Sequence, residues 1–218
     1  MTGSEQRTGG LILASASVAP LIFPISQAGY ASMVDLGRWA LIPSVAAVLL
    51  LAFWACIRGM ASLQNRIVAG AGAGLLATVG LEVIRSLSFH YGGMPGNLPE
   101  LLGVLLTGRI MDGPSVQSDL VGWGYHFWNG LCFGVIYTIV LGRKRAWVGI
   151  TYGMLIGLLF LLSPAVSSQG IGFMGMEMPA MPLTVAAAHG VFGTILGFLA
   201  HRWVREGQGF LISISRHA

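Results

Sequence analysis

The chain has 218 residues, of which 55% are hydrophobic and only 9% charged, at a mean hydropathy of +0.75. A soluble domain carries about 25% charged residues, so a soluble globular domain is excluded and an integral membrane protein is expected. The net charge of +4 is not gathered into a groove-like basic patch, so it is ascribed to membrane orientation and no nucleic-acid partner is expected.

Six apolar runs follow one another: residues 11–29, 39–57, 67–84, 120–141, 146–162 and 183–200. Each approaches the ~20 residues that a helix needs to cross hydrocarbon. The first is the weakest. Pro20 and Pro24 are expected to kink it, Ser15, Ser17 and Ser26 dilute it, and "SQA" ending at Ala28 has the small residues of a signal-peptide cleavage site. Our expectation is that it is retained as a span, giving six spans, or five without it. Cys56 and Cys132 both lie in apolar runs and read as small buried side chains, not a disulfide or zinc framework.

Alternating the sides of these runs places Arg7, Arg58, Arg66, Arg143, Lys144, Arg145, Arg202, Arg205 and Arg216 on one side. Asp35, Glu82, Glu100, Asp112, Asp119 and Glu177 go to the other, with Arg38, Arg85 and Arg109. By the positive-inside rule the first side is cytoplasmic, both termini lie there, and the loops 85–119 and 163–182 face outward. Trp39, Trp123, Trp147 and Trp203 fall near run ends, where an interfacial aromatic belt is expected. Residues 98–110 are expected to form a short helix lying in the outer interface.

The pattern His-x3-Gly-x3-Gly occurs twice: His126, Gly130, Gly134, and His189, Gly193, Gly197. Ahead of the first stands a helix with "AGAGAG" and a loop with "GGMPGNLPELL"; ahead of the second stands a helix with Gly149, Gly153 and Gly157 and a loop with "GFMGMEMPAMP". Each unit reads as helix, Met/Pro loop, His-helix, with the helices running the same way in both, which implies a parallel internal repeat. The expected organisation is an N-terminal region 1–66 with two helices, a first unit 67–142, a second unit 143–203 and a cytoplasmic tail 204–218. Glycines four apart share a helix face and let backbones approach closely.

Both histidines fall six residues into their runs, about 9 Å below the outer boundary at 1.5 Å per residue. Glu82 and Arg85 share a face of the third run at a similar depth, with His90 at its outer end. Ionisable groups in a span cost about 2.5–3.5 kcal/mol on insertion scales, so they face partners or cavities. One reading of this polar layer is structural, an ion pair and two seam histidines. The other is a metal site. Imidazole suits copper, zinc and iron, and thioether selects Cu(I). His126 and His189 would be inner ligands, Met174, Met176, Met178 and Met181 the outer collecting group, and Glu82 and Arg85 would orient ligands or relay protons. A b-type haem between the two histidines ranks below copper, and no bound metal is the alternative.

There is no nucleophile elbow, no His-Glu-x-x-His and no phosphate loop, so an enzyme is not favoured. The resulting expectation is an all-α, multi-pass protein that handles a transition metal as transporter or delivery protein. Its rival is a non-catalytic subunit or assembly factor of a larger, respiratory-type membrane complex. Partners are the lipid bilayer and, in either case, other membrane chains or a second copy. The motifs "HFWNGLCFG" and "HGVFGTILG", with the proline loops between, resemble those of uncharacterised small bacterial inner-membrane proteins over roughly residues 67–200. That resemblance implies the topology and a bacterial-type inner-membrane location, and brings no biochemical role.

Overall fold

The computed structural model describes residues 1–205, in which all regular structure is helical. The expected tail from residue 206 onward, with Arg216 and His217, lies outside the described residues. Helix α1 (Gly3–Ala16) is followed by α2 (Val18–Gln27), α3 (Met33–Leu36), a π-helical turn (Gly37–Leu41) and α4 (Ile42–Ile57). Then come α5 (Ala61–His90), α6 (Leu98–Leu106), α7 (Val116–Leu141), α8 (Ala146–Leu162), α9 (Pro164–Ser167), a 3-10 turn (Phe173–Gly175) and α10 (Ala180–Trp203). Four segments, Gly3–Gln27, Met33–Ile57, Ala61–His90 and Ala180–Trp203, are long and apolar enough to cross a membrane. The 26-residue α7 and the shorter apolar α8, at 17 residues, pack among them.

Local chemistry sets the breaks. A capping box of Thr2 and Glu5 starts α1. Pro20 has no N–H for the carbonyl of Ala16 and its ring crowds it, so α1 stops there and the chain restarts as α2. The expected proline kink is therefore a break three residues upstream of Pro20, at Ser17, whose hydroxyl turns back to the carbonyl of Leu13 at 2.8 Å. Pro43 has the same effect on Trp39. The backbone widens into a π turn, in which the N–H of Ile42 reaches the carbonyl of Gly37, and α4 then proceeds.

The apolar runs underestimate the helices, since 67–84 lies inside the thirty residues of Ala61–His90. Helix α5 is the central strut. It packs antiparallel to α7 on one side and to α10 on the other, and α8 packs antiparallel to α10. Toward α10 it presents Ala69, Ala73 and Ala77, which join Ala188, Phe192, Leu196 and Ala200 in one core. Helix α6 leans on the start of α7, with Gly103 against the backbone of Ser118 and Gly122 against that of Pro99. The short helix expected over 98–110 is thus present but ends at Leu106, and it is clamped to α7, because glycines on both sides allow backbone contact.

The N-terminal helices wrap this group. Tyr125 on α7 donates to the carbonyl of Ala19 at 2.7 Å, occupying the acceptor next to Pro20. Glu5 is buried, and its Oε1 accepts from the backbone N–H groups of Ser62 and Leu63 at 3.2 and 3.3 Å, so a carboxylate from α1 caps α5. Glu5→Ala is expected to lower stability by about 1 kcal/mol, the usual cost of a lost cap, measured as a shift in the denaturation midpoint of the detergent-solubilised protein. His201 approaches the carbonyl of Lys144 at 2.9 Å, and Asn65 donates to that of Trp203 at 3.0 Å. The start of α1, the start of α5, the Arg143–Arg145 turn and the end of α10 therefore share one end of the bundle, which gathers the basic residues.

Candidate functional site

At the opposite end, α5 carries Glu82 and Arg85 one turn apart. Both are buried, with side-chain exposures of 8% and 5%. Arg85 Nε donates to Glu82 Oε1 at 2.7 Å and Oε2 at 3.0 Å, and Nη2 closes a second contact to Oε2. His126 on α7 brings Nε2 to 2.8 Å from Glu82 Oε1, its side chain 12% exposed. Arg85 Nη2 also donates to Asn97 Oδ1 at 3.1 Å, tying the cluster to the first residue before α6. One carboxylate thus serves a guanidinium and an imidazole. With the imidazole neutral the group carries no net charge, the condition under which buried ions persist.

The two histidines do not share a partner. His189 on α10 points Nδ1 at the carbonyl of Val185, one turn back, at 2.9 Å. Its ring stacks on Phe160, with centroids 6.5 Å apart and planes 23° apart. It lies over Gly157, where an added Cβ would come within 2.9 Å of the ring. His90, expected in the same layer, is exposed at the end of α5, edge-on to Tyr91 at 5.2 Å, and takes no part.

The glycines lie where close approach demands them. Gly70 and Gly74 on α5 meet Gly130 and Gly134 on α7, and Gly149 and Gly153 on α8 meet Gly193 and Gly197 on α10. In all but one of these an added Cβ would strike backbone of the facing helix; at Gly130 it would strike the side chain of Thr78. Both seams are therefore consumed inside the chain.

Outside His189 sits a cluster of thioethers. Met94, from the loop after α5, and Met181, on α10, are buried with Leu161, Val166 and Val185. Met174 and Met178 pack on them, together with Phe160 and Ile171. The floor of this cluster is Phe160 and Val185, the residues that hold the His189 ring. Met176, expected in the same group, is 61% exposed. Met174 is held at φ +56, and Gly172 and Gly175 beside it are also at positive φ, so the loop is bent at a conformation that costs a side-chain-bearing residue about 1 kcal/mol or more. Among the described residues, no group of three or more His, Cys, Asp or Glu could hold a metal ion.

Sequence reading missed Asn97 and placed Met94 on the outer side without including it in the collecting group. Asn97 heads an Asn-Leu-Pro-Glu run, a helix-start signal, but its side chain serves Arg85 instead of capping α6. Nothing in the sequence separates Met94 from the exposed Met111.

The fold and site define an all-helical protein of long apolar helices, with a buried carboxylate–guanidinium–imidazole cluster beside a methionine cluster at one end. No family model matches the chain, and no curated protein or solved structure matches it either.

Proposed function

We propose that this is an integral membrane protein of six spans, Gly3–Gln27, Met33–Ile57, α5, α7, α8 and α10, that handles a soft transition-metal ion, Cu(I), as a transporter or delivery protein. The observation that carries the reading is the gathering of Met94, Met174, Met178 and Met181, from three stretches of chain, directly over the residues that seat His189. Thioether is a poor ligand for zinc or magnesium and a good one for Cu(I). The His189 imidazole has Nδ1 set against the carbonyl of Val185, and His126 Nε2 stands 2.8 Å from Glu82 Oε1, close enough to be drawn into such a bond. That is the outer-shell arrangement which orients a metal-binding histidine and leaves its second nitrogen as the donor. The copper is the cargo, entering from exposed Met176 and passing inward by way of the buried thioethers to His189. Haem b ranks second, since the packed glycine seams leave little room for a macrocycle beside either histidine.

A parallel repeat accounts for the seams. Gly74 faces the carbonyl of Gly130 and the Cα of Gly134, and Gly149 faces the carbonyl of Gly193 and the Cα of Gly197. The α5 and α8 positions differ by 75 (149 − 74) and the α7 and α10 positions by 63 (193 − 130). Carried one turn further twice, the register sets Gly157 where Glu82 stands (157 − 82 = 75). The second unit has a glycine there, and the His189 ring lies over it. In the bacterial-type inner membrane, with the basic end cytoplasmic, the methionine cluster faces outward.

The test is metal analysis of detergent-purified protein after Cu(I) loading. About one copper per chain is expected in the wild type, with sulfur and nitrogen neighbours by X-ray absorption. A Met178→Leu/Met181→Leu double variant, close in volume and so expected to fold, should lose at least tenfold in affinity. Absence of both copper and a Soret band would overturn the reading. It would leave the rival, a non-catalytic subunit or assembly factor of a larger membrane complex, which is favoured by one observation. In the most apolar stretch of Met33–Ile57 only 17% of the residues are buried, and Leu50, Phe53 and Ile57 are turned outward. That reading expects co-purifying partner chains in mild detergent.

A further inference from the structure

A groove of about 480 Å³ runs between α4, α6 and α7 at the end of the bundle that carries Glu82 and Met181. Its size falls in the range of small-molecule sites, about 300–1,000 Å³. Its walls are apolar, with Leu41, Val45, Leu106, Val121 and Trp128 among them. Two glycines shape it. Gly37 begins the π turn, a feature that often marks functional positions, and an added Cβ there would meet Leu106 at 2.9 Å. Gly124, on α7, faces open space, with nothing within 4 Å of an added Cβ. One charged side chain lines the groove, Arg38. It is exposed and makes no hydrogen bond or ion pair among the described residues. The nearby acid on its own helix, Asp35, is engaged by Ser32 at 2.6 Å, and Arg109 is taken by Asp112 and the carbonyl of Gly113.

We infer that this groove holds one acyl chain of an anionic phospholipid, with the phosphate on Arg38. An apolar channel open along its length accepts a flexible chain. A guanidinium held in no ion pair among the described residues, presenting paired N–H donors at the membrane boundary, selects a phosphate that no neighbouring ammonium compensates. A zwitterionic lipid of the same chains fits the channel equally well but brings its own cation to Arg38, so the site discriminates by headgroup charge. The site is separate from the methionine cluster, and its occupation does not depend on copper.

The experiment is native mass spectrometry of the full chain, exchanged into detergent with equal amounts of palmitoyl-oleoyl phosphatidylglycerol and the phosphatidylcholine of the same chains. The wild type is expected to retain one phosphatidylglycerol at roughly tenfold preference over phosphatidylcholine. Arg38→Gln should bring the ratio to near one while still retaining one lipid. Gly124→Leu starts a side chain where nothing lies within 4 Å of the added Cβ, suits a helix better than glycine and, by occupying the groove, should remove the retained lipid altogether. Circular dichroism and the thermal midpoint establish that both variants fold. Equal retention of the two lipids by wild type, or an undiminished adduct in folded Gly124→Leu, would overturn the inference.

Discussion

Replacing Glu82 with alanine is expected to lower stability by about 3–5 kcal/mol, the range for removing one partner of a buried ion pair. Glu82 holds both Arg85 and His126. Without it, a guanidinium that is 5% exposed keeps, among the described residues, only Asn97 as an acceptor. Water cannot make up the difference in the middle of packed helices. Arg85→Ala should cost less, because His126 still faces the carboxylate. Replacing both, as Glu82→Leu with Arg85→Met, removes the two charges together and should recover most of the loss, since a buried pair is worth little net against apolar groups of similar size. Unfolding of the purified protein in a graded denaturing detergent measures all three. Equal losses in the double and the single Glu82 variant would show that the charge pair is not the source.

Gly134→Ala is expected to cost about 1–3 kcal/mol, the range for overpacking, and to lie at the upper end of it. The new methyl would face the carbonyl of Gly70 and sit 2.8 and 2.9 Å from the Cα and N of Gly74. These atoms are backbone, so no rotamer change relieves them and α5 and α7 must separate along the seam. Gly10→Ala is the matched control. Nothing lies within 4 Å of its added Cβ, and it should be neutral or gain up to about 1 kcal/mol from helix propensity. Thermal midpoints in one detergent compare the two. A Gly134→Ala protein as stable as the control would mean that the seam is looser than described.

Much of this layout is legible in the sequence because it depends on spacing. Glycines four apart announce close helix contact, and Glu82 with Arg85 announces a shared face; both follow from the period of a helix. Partners across the chain carry no such period. That His126 finds Glu82 whereas His189 turns to its own backbone depends on which residue stands opposite, a carboxylate in one pair and Gly157 in the other. Only the register between helices decides that. Of the two prolines expected to kink the first run, Pro20 has a break before it at Ser17, whereas Pro24 sits within the continuous α2; the π turn before Pro43 was not anticipated. Glu5 gave no signal, because its role is to complete a helix that begins more than fifty residues later. The methionines announced themselves by number, and their sorting into buried and exposed is a property of the loop's bends.

Helix α5 is shared between two neighbours: its glycines seat α7 and its alanines seat α10. A displacement of α10 relative to α7 has to shear one of those two faces, so α5, α7 and α10 are expected to move as one piece.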